Sequence, residues 1–252
     1  MHSDRILEVC VEDSDGLDAA IAGGADRIEL CAALAVGGLT PPASLIRAAA
    51  AAPIPVHVLI RPREGGFVYS PRDCALIADD IRTASDAGLA GVVIGASAPD
   101  GRLDAAALTA LVAHARALGT ARGTPFSLTL HRAFDLCPDL GEALETGITL
   151  GFDRVLTSGG TPKAIDGLAA IAALHRQAAG RITILAGSGV SPETLPAILG
   201  TGVTEVHASC REAATTPADS QQVRFGFASP VRSMTSAARV RSLADILVQT
   251  PA

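Results

Sequence analysis

Two short stretches near the start of the chain each end on a carboxylate and a thiol two residues apart: Glu8 with Cys10 in ILEVCV, and Glu29 with Cys31 in RIELC. Thiolates bind soft metal ions, and two of them at the ends of neighbouring strands, about 4.8 Å apart, could share one, with Cu(I) the natural candidate. The two glutamates suit either an acid/base pair or an interior charge network with Arg61 or Arg132. HRAFD gathers a base, a guanidinium and a carboxylate as His131, Arg132 and Asp135, a grouping fit for general acid/base chemistry. RPREGGFVYSP joins Arg61 and Arg63 to a glycine hinge and an aromatic pair, which suits an anion clamp under a lid or, equally, salt bridges. Glycine turns in TSGG (Thr157, Ser158, Gly159) and AGSG (Gly187, Gly189), with Ser209 in HASC, offer backbone N–H groups to a phosphate or form plain turns.

Other chemistries are absent. The single lysine, Lys163, follows Pro162 at a helix start, so no strand carries a Schiff-base lysine. G-x-S-x-G, H-E-x-x-H and the P-loop pattern do not occur. Cys74, Cys137 and Cys210 lie far apart in sequence, no C-x-x-C is present, and a structural zinc site is not expected.

The elements that must position these groups alternate along the chain. Eight short apolar or β-branched runs begin near residues 6, 27, 55, 91, 126, 154, 182 and 205, with Ala-rich helical stretches between them. Several helices open on Ser, Asp or Pro and close on Gly. Strand then helix, eight times in 252 residues, predicts one α/β domain spanning 1–252, a single (β/α)8 TIM barrel. An open doubly wound sheet is the competing fold, but VCVEDSDG lacks its glycine-rich phosphate turn. Residues 211–234 show no periodicity and read as a long loop before a closing helix.

Side chains alternate across a strand, so polar residues reveal which face looks into the barrel. Cys10, Cys31, Arg61, His131, Thr157 and Ser209 then converge at the carboxyl ends of the strands, where barrel enzymes keep their sites. His207 shares a face with Glu205 and Ser209, His57 sits early in its strand as a structural residue, and His114 and His175 are surface candidates on helices.

The net charge of −6, with basic residues scattered, argues against a nucleic-acid partner. No run reaches the roughly 18 apolar residues that cross a bilayer, and acids interrupt the first apolar stretch, so neither a membrane span nor a signal peptide is expected. Five widely spaced cysteines fit reduced thiols in the cytoplasm.

Taken in order, LEVC, GADRIELC, GGLTP, IRPREGGFVYS, HRAFD, RVLTSGG and EVHAS closely resemble the CutC family, named for copper homeostasis, over roughly residues 6–211. The resemblance implies a cytoplasmic barrel, often a homo-oligomer (dimer or tetramer), linked to copper tolerance or Cu(I) binding, with ligands at Cys10 and Cys31. Two functions follow. One is a copper-binding protein. The other is a barrel enzyme acting on a small anionic, phosphorylated or similar, molecule, with Glu8, Glu29, His131 and Asp135 as acid/base groups and Arg61 and Arg132 as anion contacts.

Overall fold

The structure, a computed structural model, describes residues 5–249. Eight parallel strands close on one another: β1 (Ile6–Val11), β2 (Arg27–Leu30), β3 (Val56–Leu59), β4 (Gly91–Ile94), β5 (Ser127–Leu130), β6 (Arg154–Thr157), β7 (Thr183–Gly187) and β8 (Glu205–Ala208), with β8 paired back to β1. The first seven are followed in turn by α1 (Ser14–Gly23), α2 (Ala43–Ala49), α3 (Pro71–Asp86), α4 (Ala105–Ala121), α5 (Leu140–Leu150), α6 (Leu168–Ala178) and α7 (Leu195–Leu199). After β8 come β9 (Arg211–Thr215), α8 (Gln221–Arg224), β10 (Val231–Thr235) and the closing α9 (Ala237–Gln249). The eight predicted runs are the eight barrel strands.

Local chemistry starts and stops these elements. Asp13 caps α1 by accepting from the Gly16 N–H, and Gly24 ends it in the left-handed region at φ 93°. Ser70 and Asp73 form a capping box at the start of α3, with Pro71 at the first helical position. On each strand one face packs apolar side chains under the helices: Leu7, Val9 and Val11 of β1 join the main core, while Glu8 and Cys10 point the other way.

The expected loop at 211–234 is instead an antiparallel hairpin, with β10 paired to β9 from Val231↔Thr215 to Thr235↔Arg211 and α8 in the turn. Most of its residues are exposed on both faces. Water on both sides removes the alternation by which a half-buried strand is recognised.

Barrels usually fill their interior with branched apolar residues. Here the lower interior is ionic. Glu8 is fully buried, 2.5 Å from Arg27 Nε and 2.8 Å from His207 Nδ1. Arg27 Nη2 reaches Glu205 at 2.5 Å, and Arg154 Nε lies 3.2 Å from the same oxygen. The partner of Glu8 is thus Arg27, not Arg61 or Arg132 as the sequence suggested, because Arg27 lies directly across from it in the β1–β2 register. Burial alone would push the Glu8 carboxyl up, but Arg27 and His207 outweigh it and hold the group well below the usual carboxylate range. Removing one partner of a buried pair leaves an uncompensated charge. Arg27→Met is expected to lower stability by about 3–5 kcal/mol, read from urea unfolding; a loss under about 1 kcal/mol would show that the network is not what holds this end of the barrel together.

Candidate metal and ligand site

At the carboxyl ends of the strands lies a cavity of about 350 Å³, walled by Cys10, Glu29, Arg61, Phe67, His131 and His207, with the Ser188–Gly189 turn at its edge. Cys10 faces Glu29 across the β1–β2 pair, and His207 faces Glu8 across β1–β8. Among the described residues, Cys10, Glu29 and His207 form a buried group whose ligand atoms all lie within 4.8 Å of one another. Glu8 occupies His207 Nδ1, which turns Nε2 toward Glu29 at 3.6 Å. Burial would lower the His207 pKa, but the Cys10 sulfur and both glutamates drive it well above the ordinary value. Burial, with Glu8 adding, pushes the Glu29 carboxyl up against the opposing pull of His207. Gly187, expected as part of a phosphate turn, serves packing instead: a Cβ there would sit 2.6 Å from Leu156 and 3.2 Å from the His207 side chain.

Cys31 does not sit level with Cys10. Because Cys10 registers with Glu29, Cys31 falls one interior step further along, where its N–H bonds to the Val11 carbonyl. Its Sγ lies 3.5 Å from Glu29 Oε2, and burial together with Glu29 pushes the thiol well above its usual pKa. Gly38 closes over it: a Cβ at Gly38 would be 2.6 Å from Leu59 and 3.6 Å from the Cys31 sulfur. The glycine pair after β2 is therefore a roof for the thiol as well as a turn.

His131, expected as a general base, is placed as a donor. Its Nδ1 accepts from the Ala133 N–H at 3.1 Å, so the ring proton of the neutral form is on Nε2, which is buried without a partner. Burial lowers its pKa to about 4. Room for the ring comes from Gly95, where a Cβ would lie 2.5 Å away. Arg61 is tied by Nη1 to the carbonyls of Val36 and Gly38 and by Nη2 to that of Gly65, each at 2.9 Å. Phe67 lies against both residues, 4.7 Å from the His131 ring and 5.1 Å from the Arg61 guanidinium.

Asp135 is saturated. It accepts from Arg132 Nε at 2.7 Å, Thr157 Oγ1 at 2.5 Å, and the backbone N–H groups of Ser158 and Gly160 at 3.1 Å. The TSGG turn is thus an anion nest already filled by the chain's own carboxylate, so Asp135 acts as a brace, not an acid or base. Thr157 turns away from the cavity, and Leu156 lines it instead. That phase is set by Arg154, which registers with Thr129 on the interior face. Gly159, at φ 73°, packs on Gly167. Arg132, Gly189 and the exposed Ser209 border the cavity. His207 is not among the expected ligands; Ser209, expected as an anion contact at the end of β8, lies just beyond the strand, which ends at Ala208. The signal was there in the shared phase of Glu205 and His207.

A family model described as the CutC family matches residues 5–212. A protein of Rhizobium meliloti named family protein CutC is 51% identical over 239 residues, covering 94% of each chain. One of Agrobacterium fabrum, named likewise, is 47% identical over 243 residues, 96% of this chain and 94% of its own. A solved structure described as the copper homeostasis protein CutC of Streptococcus agalactiae shares 31% identity at a TM-score of 0.74, covering 81% of this chain and 98% of that one.

The His131 environment is measurable by itself. Its ring is expected to show the neutral Nε2–H tautomer throughout the neutral range and to titrate near pH 4, as burial dictates; an NMR midpoint near the ordinary ~6.5 would contradict this placement. Because the folded pKa is depressed below the unfolded one, the unfolded chain takes the proton first. Relative to His131→Gln, the parent protein therefore loses stability as pH falls from about 6.5 toward 4.

Proposed function

This chain belongs to the CutC family, and from that premise we propose that it handles copper, holding one Cu(I) ion as cargo at the mouth of its barrel. The observation that carries the reading is the buried trio of Cys10, Glu29 and His207, backed by the Glu8–His207 hydrogen bond. A carboxylate on the far nitrogen of an imidazole is the usual way to fix the ring's tautomer and aim its free nitrogen at a metal. Thiolate and imidazole are donors that Cu(I) prefers, whereas a carboxylate is a poor ligand for it. Glu29 then serves as a neighbouring charge and a place for the displaced proton.

Within this reading the primary ligands are Cys10 and His207. Cys31, the second thiol of the family expectation, is engaged with Glu29 and protonated, so it joins only after that contact breaks. All five cysteines are free, in keeping with a reducing compartment, and we place the protein in the cytoplasm. No helix among the described residues is long and apolar enough to cross a membrane. A homo-oligomer, dimer or tetramer, completes the reading and is open to sedimentation.

Anaerobic titration of Cu(I) against a strong chelator tests it. One equivalent is expected to bind, and Cys10→Ser or His207→Gln is expected to weaken it by more than the ~10- to 100-fold typical of outer hydrogen-bond partners. Cys31→Ser is expected to have the smaller effect. Unchanged affinity in Cys10→Ser sinks the proposal.

A further inference from the structure

We propose that the opposite wall of the same cavity binds a small oxyanion, a carboxylate or a phosphate group, through the Nε2–H of His131 and the Nε–H of Arg61. Both nitrogens are buried and lack an acceptor. Both side chains are more than nine-tenths buried, at 5% and 7% exposure, and both line the cavity. Buried donors are almost always paired, so two without acceptors on one wall mark a missing partner.

The chemistry of that partner follows from the donors. His131 has committed its acceptor nitrogen to Ala133 and presents only a proton. Arg61 spends its two terminal nitrogens on the carbonyls of Val36, Gly38 and Gly65, and among the described residues it makes no ion pair. A buried guanidinium compensated by carbonyl dipoles, the Phe67 ring and Tyr69, with no ion-pair partner, favours a negative ligand, and a neighbouring neutral N–H donor favours an oxygen acceptor. A second cation, Arg132, borders the same space, though Asp135 already neutralises it.

Phe67 completes the arrangement. It comes from the segment between β3 and α3, next to Gly65 and Gly66, and its ring rests on both donors. It is itself half-buried, and Gly66 has open space around it. An aromatic cover beside a glycine pair can shield the donors from water and move aside for a ligand. A cavity of about 350 Å³ suits a molecule of metabolite size.

The experiment uses metal-free protein, so it stands or falls independently of copper. Nitrogen-15 spectra of the histidine ring and arginine Nε–H groups are followed while inorganic phosphate or, separately, formate is added, with sodium chloride at matched ionic strength as control. The His131 Nε2–H and Arg61 Nε–H resonances are expected to move together and saturate with at least one of the two anions and not with chloride. Arg61→Lys, which keeps the charge but loses the Nε–H, is expected to weaken binding about 10- to 100-fold, as one charge-assisted hydrogen bond does. Resonances that neither anion moves, shifts that chloride reproduces (an ionic-strength effect only), or equal affinity in a folded Arg61→Lys variant would overturn the proposal. Should Arg61→Lys fail to fold, the joint movement of the two parent resonances decides alone.

Discussion

The buried Glu8 carboxylate is the interaction on which the rest of this barrel's interior depends. Its two oxygens meet three basic groups: Arg27 and His207 at bonding distance, and His57 at 4.0 Å. Through Arg27 it reaches Glu205 and, beyond that, Arg154. An ion this deep is tolerable only because every charge in the chain of contacts has a partner. The same contact fixes the direction of the His207 ring, so the element that keeps the lower barrel intact also aims the group that faces Cys10 and Glu29. Stability and site are therefore not separable at this position. A change that spares one must spare the other.

Glycine is the second half of that design. Each interior histidine faces a glycine whose missing Cβ gives its ring a place. A Cβ at Gly91 would meet the His57 ring at 3.0 Å, one at Gly95 the His131 ring at 2.5 Å, and one at Gly187 the His207 side chain at 3.2 Å. Close-packed interiors leave no slack for such rings, so space must be made by deleting side chains elsewhere. Gly91 opens β4 and Gly95 directly follows its last residue, four positions on, so the two glycines share a phase and β4 with its first loop residue makes room for both rings.

How much of this could be read from the sequence depends on which physical scale set each feature. The eight strands and the barrel were legible because β-branched runs and capped helices are local signals. Glu8, Glu29, Cys10, Cys31, Arg61 and His131 are placed on the interior by phase alone; the structure brings Cys10, Glu29, Arg61 and His131 to one cavity and Glu8 to the network beneath it, while Cys31 is buried against Glu29. What could not be read was register, which belongs to pairs of strands. Sequence phase cannot say that Cys10 lies level with Glu29, that Arg27 meets Glu8, or that Leu156 and not Thr157 faces the cavity. Nor could it show that the N–H groups of the TSGG turn were already spent on Asp135, since that contact spans the end of β5 and the end of β6. The hairpin of β9 and β10 escaped for a different reason: exposed on both faces, it carries no alternation to detect.

The cavity that results is polarised. On the β1, β2 and β8 side stand Cys10, Glu29 and, beneath them, Glu8; on the β3 and β5 side stand Arg61 and His131. The two walls share a low-dielectric space in which opposite charges attract far more strongly than in water. A cation lodged on the acidic, thiol-bearing wall and an anion lodged on the donor wall would each be drawn by the other. Any such coupling is reciprocal by thermodynamic necessity: whatever factor one ligand adds to the other's affinity is returned in full. Were the metal and the oxyanion proposed above both to bind, the barrel mouth would favour the two together over either alone.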